Sequence, residues 1–345
     1  MSTIEIDGRR VGEGQRCLII AEGCDNHFGS LDNAKQMVRE AKAAGVDAIK
    51  FQHHLVEHEM LPDCMPTSDN FDMPLLEFLR RYALSLDDHV ALKAYCEMLD
   101  ILYLCTPFSR QAAEELNEIG LGAFKIGSGE LTDHPTLKVI ASFGKPMILS
   151  TGMATLEEID ETVDILRPIN DQLALLNCTS EYPARHADVN LGVINVMRER
   201  YGLTVGHSDH TPDIYTAIGS VVAGAKIIEK HFTLDKRSPG PDRDVSIDAM
   251  DFYQLVQGVR RVEEALGSTK EIHDLERPIR AWAHRSVVSL QDIPGGATIT
   301  PEMVWTKRPG TGIAARDLEK VIGSTVVTEI KKDSLISWDS LDITR

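Results

Sequence analysis

Short apolar runs punctuate the first 231 residues, and each closes on polar side chains: CLIIAE, AIKFQ, LYLCTPF, AFKIGSGE, PMILSTG, LALLNCTSEYP, TVGHSDH and KIIEKHF. Rich in Ile, Leu and Val without clean alternation, they read as strands of a parallel sheet covered on both faces. Segments with helical spacing separate them. SLDNAKQMVREAKAAG follows the first run, with Ser30 or Asp32 as cap and Gly45 as stop. SRQAAEELNEIG follows the third, capped by Ser109, and TLEEIDETVDILR follows the fifth, with Thr155 and Glu158 spaced as a capping box. DIYTAIGSVVAGA and SIDAMDFYQLVQGVRRVEEALG follow the seventh and eighth. Alternating strands and helices suit a barrel or a doubly wound sheet. The count of eight favours an α/β fold of the (β/α)8 type, a TIM barrel, whose reactive residues sit at the C-terminal strand ends.

Three stretches break this rhythm. The opening STIEIDGRRVG reads as a hairpin turning at Asp7-Gly8. Between the second run and LSLDDHVALKAYCEML lies a long Pro-, Asp- and Met-containing stretch, residues 53–83, which reads as a lid or substrate wall. Its alternative is a surface insertion that only packs or dimerises. Past Gly267 the pattern changes to a polar linker, STKEIHDLERPIRAWAHR, and then to short β-like runs with Pro-Gly and Gly-Gly turns. The predicted organisation is a catalytic barrel over 1–267, a linker over 268–284 and a small β-rich domain over 285–345.

A length of 345 residues accommodates this plan, since a barrel takes about 250. The net charge of −17 argues against nucleic acid or an anionic membrane as the main partner. It leaves room for an anionic substrate, because local lysines can outweigh the global field inside a pocket. Six cysteines, none in a Cys-x-x-Cys pair and several inside apolar runs, read as reduced and buried thiols. With no signal-peptide pattern and no run near the ~18–20 apolar residues of a membrane helix, the expectation is a soluble cytoplasmic protein.

The strand ends carry the candidate chemistry. His210 and His231 end the adjacent seventh and eighth runs and can share one divalent metal that keeps open positions for water and substrate. Nitrogen ligands with a nearby carboxylate suit Mn or Zn better than Ca. Asp209, Glu229 and Asp242 are candidates to orient those ligands. Lys50 and Lys125 end two other runs, and Thr106, Ser128, Ser150, Asn177, Ser180 and Tyr182 end more. Lysines inside a barrel are costly unless paired, so two of them point to a ligand carrying more than one negative charge. The structural alternative pairs them with Glu22, Glu130 or Glu229. KIGSGE offers backbone N–H groups for phosphate or carboxylate oxygens. Glu22 and Glu130 can hold hydroxyls or move a proton. Asn26 and His27 stand in the first loop with no role the residues themselves assign.

Taken together, NHFGS, KFQ, TPFS, KIGSGE, STGM, CTSEYP, SDHT, EKHFT and PGPD resemble the sialic acid (N-acetylneuraminate) synthase family, which joins phosphoenolpyruvate to a mannosamine-type sugar. RSVV and KRPGTGI resemble the antifreeze-like (SAF) module appended to those synthases, so the resemblance spans nearly the whole chain. It implies a transferase that condenses phosphoenolpyruvate with N-acetylmannosamine or a related 2-acetamido hexose and releases phosphate. The alternative acceptor is a 2,4-diacetamido-trideoxy hexose, as for legionaminic or pseudaminic acid. The resemblance places Lys50, Thr106 and Lys125 on the carboxylate of phosphoenolpyruvate, and Ser128, Ser150, Ser180 and Tyr182 on its phosphate. It places Glu22, Gln52, Glu130 and Asp242 around the sugar, and Mn2+ or Mg2+ on His210 and His231. It also implies a domain-swapped homodimer in which Arg308 reaches the other subunit's barrel. His53, His54, His207 and Ser180 depart from some relatives and leave the identity of the sugar open. Two other readings remain: a 3-deoxy-octulosonate-type synthase, which lacks the appended module, and a non-catalytic carbohydrate-binding barrel.

Overall fold

The computed structural model describes residues 2–62, 73–238, 240 and 242–342. Residues 63–72, which hold Cys64 and the middle of the long loop, lie outside it. The chain divides into two compact units, Met1–Gly267 and Ser268–Arg345.

In the first unit, β1 (Thr3–Ile6) and β2 (Arg9–Gly12) form an antiparallel hairpin. Asp7 and Gly8 turn it with φ of 46° and 80°. Two consecutive positive φ values match the right-handed twist of the strands, and Gly takes the second at no steric cost. Eight parallel strands then close a barrel: β3 (Leu18–Glu22), β4 (Ala48–His53), β5 (Leu102–Pro107), β6 (Phe124–Ile126), β7 (Met147–Ser150), β8 (Leu173–Cys178), β9 (Thr204–Asp209) and β10 (Ile227–His231), with β10 pairing back to β3.

Side chains alternate along each strand. Leu18, Ile20, Ala48, Leu102, Leu104, Ala123, Ile148, Ala174, Leu176 and Ile227 point inward and pack with Ile4, Ile6 and Val11 of the hairpin. The hairpin therefore plugs the N-terminal end of the barrel with hydrocarbon. Gly206 shares that interior: a Cβ there would lie 2.6 Å from Leu176 and 2.3 Å from the Ile227 carbonyl, so only Gly lets the layer close. The intervening residues, among them Ile19, Ile49, Phe51, Tyr103 and Leu175, face the helices and form the larger core.

The helices are α1 (Leu31–Ala43), the short α2 (Val56–Glu59), α3 (Leu75–Tyr82), α4 (Leu86–Met98), α5 (Arg110–Glu118), α6 (His134–Ser142), α7 (Leu156–Leu166), α8 (Val193–Tyr201), α9 (Tyr215–Val222) and α10 (Ala249–Ala265). Ser30, not Asp32, caps α1 by accepting from the Asn33 N–H. Ser109 caps α5, and Thr155 with Glu158 closes the capping box of α7. Each such cap satisfies backbone donors that would otherwise be orphaned, an effect of about 1 kcal/mol. No described helix is long and apolar enough to cross a membrane.

The second unit contains α11 (Glu276–Ala283), β11 (Ser286–Ser289) paired antiparallel with β12 (Val304–Lys307), α12 (Leu318–Val321), and β13 (Thr325–Val326) paired with β14 (Leu341–Asp342). Its small core is built on Val287, Ile293, Ile299, Val304, Ile313 and Ile336.

Candidate active site

Inward alternation continues past the apolar layer to the C-terminal strand ends, and there it delivers polar groups. Glu22 follows Ile20 on β3, Lys50 and Gln52 follow Ala48 on β4, and Thr106 follows Leu104 on β5. Lys125, Ser150, Ser208 and Glu229 are placed likewise, with His210 and His231 one inward step further. They converge on one cavity of about 410 Å³, which Ser128, Glu130, Ser180, Tyr182 and Asp242 also line.

Two lysines share one carboxylate in that cavity. Lys50 Nζ lies 2.9 Å from Glu22 Oε2 and 3.0 Å from Glu229 Oε2, and Lys125 Nζ lies 3.4 Å from Glu229 Oε1. Lys125 also donates to Ser150 Oγ at 2.7 Å, and Ser208 Oγ donates to Glu229 at 3.0 Å. The lysines are thus paired, as the structural alternative supposed, but the pairing is incomplete. Beyond Lys50, Glu22 Oε2 and Glu229 Oε2 have no further hydrogen-bond partner among the described residues, and Thr106 Oγ1, also buried, has none. Burial pushes Lys50 down to about 8 against the pull of Glu229. Burial also opposes ionisation of Glu229, yet Lys125 and Lys50 outweigh it and hold the carboxyl well below the usual range.

Beside this cluster, a glycine keeps room for two hydroxyls. The Gly152 N–H donates to Ser128 Oγ at 3.1 Å. A Cβ on Gly152 would lie 2.2 Å from Ser180 Oγ and 2.7 Å from Ser128 Oγ, so only Gly leaves both hydroxyls in place.

The two histidines meet as neighbours. Their ring centroids are 5.2 Å apart, and Tyr182 stacks on His210 at 4.3 Å. His210 Nδ1 donates to the Thr179 carbonyl at 2.8 Å, which leaves its Nε2 lone pair free. His231 Nδ1 is buried without a partner among the described residues and lies 3.6 Å from Asp242 Oδ2. Burial, reinforced by His210, keeps His231 neutral.

The same cavity also carries further acidic groups. Gln52 Nε2 donates to Glu22 Oε1 at 2.9 Å. Glu130 sits in a short 3-10 turn after β6 with Oε2 buried and without a partner among the described residues, and burial raises its pKa. Burial raises Asp242 as well and lifts Asp25 to about 6.

Several expected residues turn away from the cavity. Asp209 faces outward, where it pairs with Lys230 at 3.2 Å, so it orients no ligand of His210. Asn177 also faces outward and donates to the Val189 carbonyl at 3.0 Å. His207 lies on the same outer face, 3.7 Å from Asp209. Asn26 donates to Ser246 Oγ and the Phe232 carbonyl, tying the loop after β3 to the chain after β10. His27 Nδ1 accepts from the Gly29 N–H. Period-two alternation accounts for Asp209, Asn177 and His207, and local turn chemistry for His27, whereas Asn26 is held by partners more than 200 residues away. Arg308 belongs to the second unit, where its guanidinium lies 5.1 Å over Trp282 and donates to the Ala283 carbonyl. Sequence reasoning missed Asp25, Glu59, Phe108 and Ser208 in the cavity lining. Ser208 was discoverable, since it shares its strand face with His210.

A closed parallel barrel that gathers lysines, hydroxyls and carboxyls at its C-terminal mouth defines a barrel enzyme rather than a binding scaffold. The chain belongs to the NeuB family, whose model matches residues 37–271, and residues 284–342 match the SAF domain. It is a transferase of that family. The N,N'-diacetyllegionaminic acid synthase of Legionella pneumophila is 38% identical over 346 residues, covering 96% of each chain. The N-acetylneuraminate-9-phosphate synthase of Mus musculus is 33% identical, covering 97% of this chain and 95% of the relative. Among solved structures, the N-acetylneuraminic acid (sialic acid) synthetase of Leptospira borgpetersenii, in complex with citrate, superposes with a TM-score of 0.73 at 30% identity, covering 81% of this chain and 95% of that one.

Proposed function

We propose that the chain condenses phosphoenolpyruvate with an open-chain 2-acetamido hexose of the N-acetylmannosamine type, forming a nonulosonic acid and releasing phosphate. The observation that carries this reading is the Lys50–Glu229–Lys125 cluster, with the unpartnered Thr106 hydroxyl beside it, in one cavity that Ser128, Ser150, Ser180, Glu130 and Asp242 also line. The two lysines and the hydroxyls suit a small multiply charged anion. The carboxyls suit the hydroxyls of a neutral sugar.

Carbon three of phosphoenolpyruvate forms the new bond to the aldehyde carbon, whose oxygen gains a proton. Water adds at carbon two, and the C–O bond to phosphate then breaks, leaving a keto group. Lys50 and Lys125 balance the carboxylate and phosphate charge throughout, in a site where preorganised donors act at low dielectric. Glu130, whose pKa burial raises, serves as proton donor to the aldehyde oxygen. Glu22, ion-paired with Lys50, serves as the base toward water. His210 and His231 would hold a divalent metal, Mn2+ or Mg2+, with Asp242 beside them. The unpartnered His231 Nδ1 and the free His210 lone pair support that fit, and the Cys24, His231 and Asp242 ligand atoms lie within 4.8 Å of one another. When bound, such an ion supplies Lewis acidity for the aldehyde oxygen.

A 2,4-diacetamido-trideoxy hexose is the second acceptor to consider, because the legionaminic relative is 38% identical against 33% for the neuraminate-9-phosphate one. The test is phosphate release from phosphoenolpyruvate with Mn2+ and a panel of hexosamines of both kinds. One class of sugar should support turnover. No release with any of them from folded protein would overturn the reading.

A further inference from the structure

Among the acidic groups of the cavity sits a residue to which the reaction above gives no task. His54 lies just past Gln52 on the chain, buried, with its ring stacked on Phe108 at 4.4 Å and 15°. Both of its nitrogens are engaged: Nδ1 lies 2.8 Å from Glu59 Oε2, and Nε2 lies 3.0 Å from Gln52 Oε1.

The direction of these bonds is set from the far end. Glu22 is ion-paired with Lys50, and a carboxylate donates nothing, so Gln52 must turn its amide nitrogen to Glu22. That turns the amide oxygen of Gln52 to His54, whose Nε2 must then carry a hydrogen. Nδ1 faces a second carboxylate and must carry one as well. The ring is therefore an imidazolium, held between Glu59 on α2 and Gln52 on β4. Asp25 Oδ2, 3.7 Å from Nε2, adds a second negative partner. Burial disfavours the charge, but Asp25, Glu59 and Glu130 outweigh it and hold the pKa above the ordinary histidine value.

The consequence falls on Gln52, which lines the cavity. His54 holds its oxygen and Glu22 takes one amide hydrogen, so the amide is fixed in one orientation. A free glutamine can turn either end of its amide to a ligand, whereas this one is held with its nitrogen and second N–H in a set direction.

We propose that His54 is a positioning residue for the sugar acceptor: through its two ring N–H groups it fixes the amide orientation of Gln52, so that the remaining N–H is presented to a hydroxyl or acetamido carbonyl oxygen on the sugar. This deepens the reaction proposed above and rests on it. His54 touches neither reacting centre. It acts through Gln52, and Glu59 and Phe108 hold its ring in place.

The test uses the full chain and steady-state phosphate release. His54→Phe keeps ring volume and stacking but removes both donors. It should raise the acceptor KM at least tenfold while the phosphoenolpyruvate KM stays within twofold. His54→Gln places an amide nitrogen near the Nε2 position and should restore the acceptor KM to within threefold of the parent. His54→Asn places one near Nδ1, keeps the bond to Glu59, and should not restore it. In a Gln52→Ala background, His54→Phe should add less than twofold. A parallel rise in both KM values, or rescue by Asn as good as by Gln, would overturn the proposal. 15N NMR of histidine-labelled protein at pH 7 gives a readout free of turnover: one imidazolium ring, with both nitrogens protonated, should vanish in His54→Phe. A neutral His54 tautomer would sink the proposal even if the synthase reaction stood. Failure of every sugar with the parent protein would sink the reaction, while the NMR experiment would still decide the state of His54.

Discussion

Two buried lysine–carboxylate clusters sit within a few residues of each other on opposite faces of the same barrel wall. On the outer face, Lys230 bonds Asp209 Oδ1 at 3.2 Å and also the Thr211 carbonyl. The oxygens of Asp209 take the Thr211 N–H and hydroxyl at 2.7 Å and the Thr216 hydroxyl at 2.6 Å. Every acceptor of that carboxylate is used. On the inner face, Lys50 and Lys125 share Glu229, Glu22 Oε2 and Glu229 Oε2 have no further partner beyond Lys50, and Thr106 Oγ1 has none among the described residues. Residue types do not separate the two clusters, since both combine Lys, a carboxylate and hydroxyls. Satisfaction does. A completed network has nothing left to bind with and is structural. A less complete one beside a cavity keeps polar capacity that a ligand could use.

The comparison breaks most sharply at Lys125. Lys125→Met should lower phosphate release at least 10³-fold, about 4 kcal/mol in transition-state terms, with thermal stability changed by less than about 1 kcal/mol. Turnover near the parent rate would remove the anion-binding role of the inner cluster. Lys230→Met should do the reverse. It strands Asp209 as a buried unpaired charge, so denaturant unfolding should show a loss of about 3–5 kcal/mol, while kcat of the folded fraction stays within about threefold. Unchanged stability would show that the outer pair is not the closed network described here.

Protonation sharpens the same contrast. Burial places Lys50 at about 8, so it is cationic below that pH and neutral above it. Neutralising it removes one of two charges facing the anion. The kcat/KM for phosphoenolpyruvate should therefore fall above about pH 8, by up to tenfold per pH unit. A flat profile to pH 9.5 would contradict the assignment. The smallest effect belongs to the outer face: Asn177→Ala loses one bond to the Val189 carbonyl and should cost about 1 kcal/mol of stability, with both substrate KM values unchanged. A tenfold rise in either KM would place Asn177 in the site after all.

Much of this was legible in the chain. The strand and helix order, the caps at Ser109 and Thr155 and the Asp7-Gly8 turn were readable because each depends on residues a few positions apart. The polar strand ends were readable because parallel strands close on a shared mouth. Asn177 and Asp209 were misplaced by treating a strand end as a point rather than as two faces. Counting in twos from Leu176 and from His210 would have turned both outward. The wall formed by Asp25, His54 and Glu59 was beyond such counting, since it comes from loops and the short α2.

By itself the sequence determined the alternation of elements, the apolar layers and the supply of lysines, hydroxyls, histidines and carboxyls at the strand ends, because period and capping are local physics. Only the tertiary structure decided which lysine is saturated and which is left open, because that depends on partners far apart in the chain. Lys230 finds Asp209 and Thr211 across one strand boundary. Lys50 finds Glu22 and Glu229 only when β10 closes onto β3 and β4 lies beside it. Barrel closure places one carboxylate between two lysines, and it turns an inventory of polar residues into one cavity lined by lysines, hydroxyls, histidines and carboxyls.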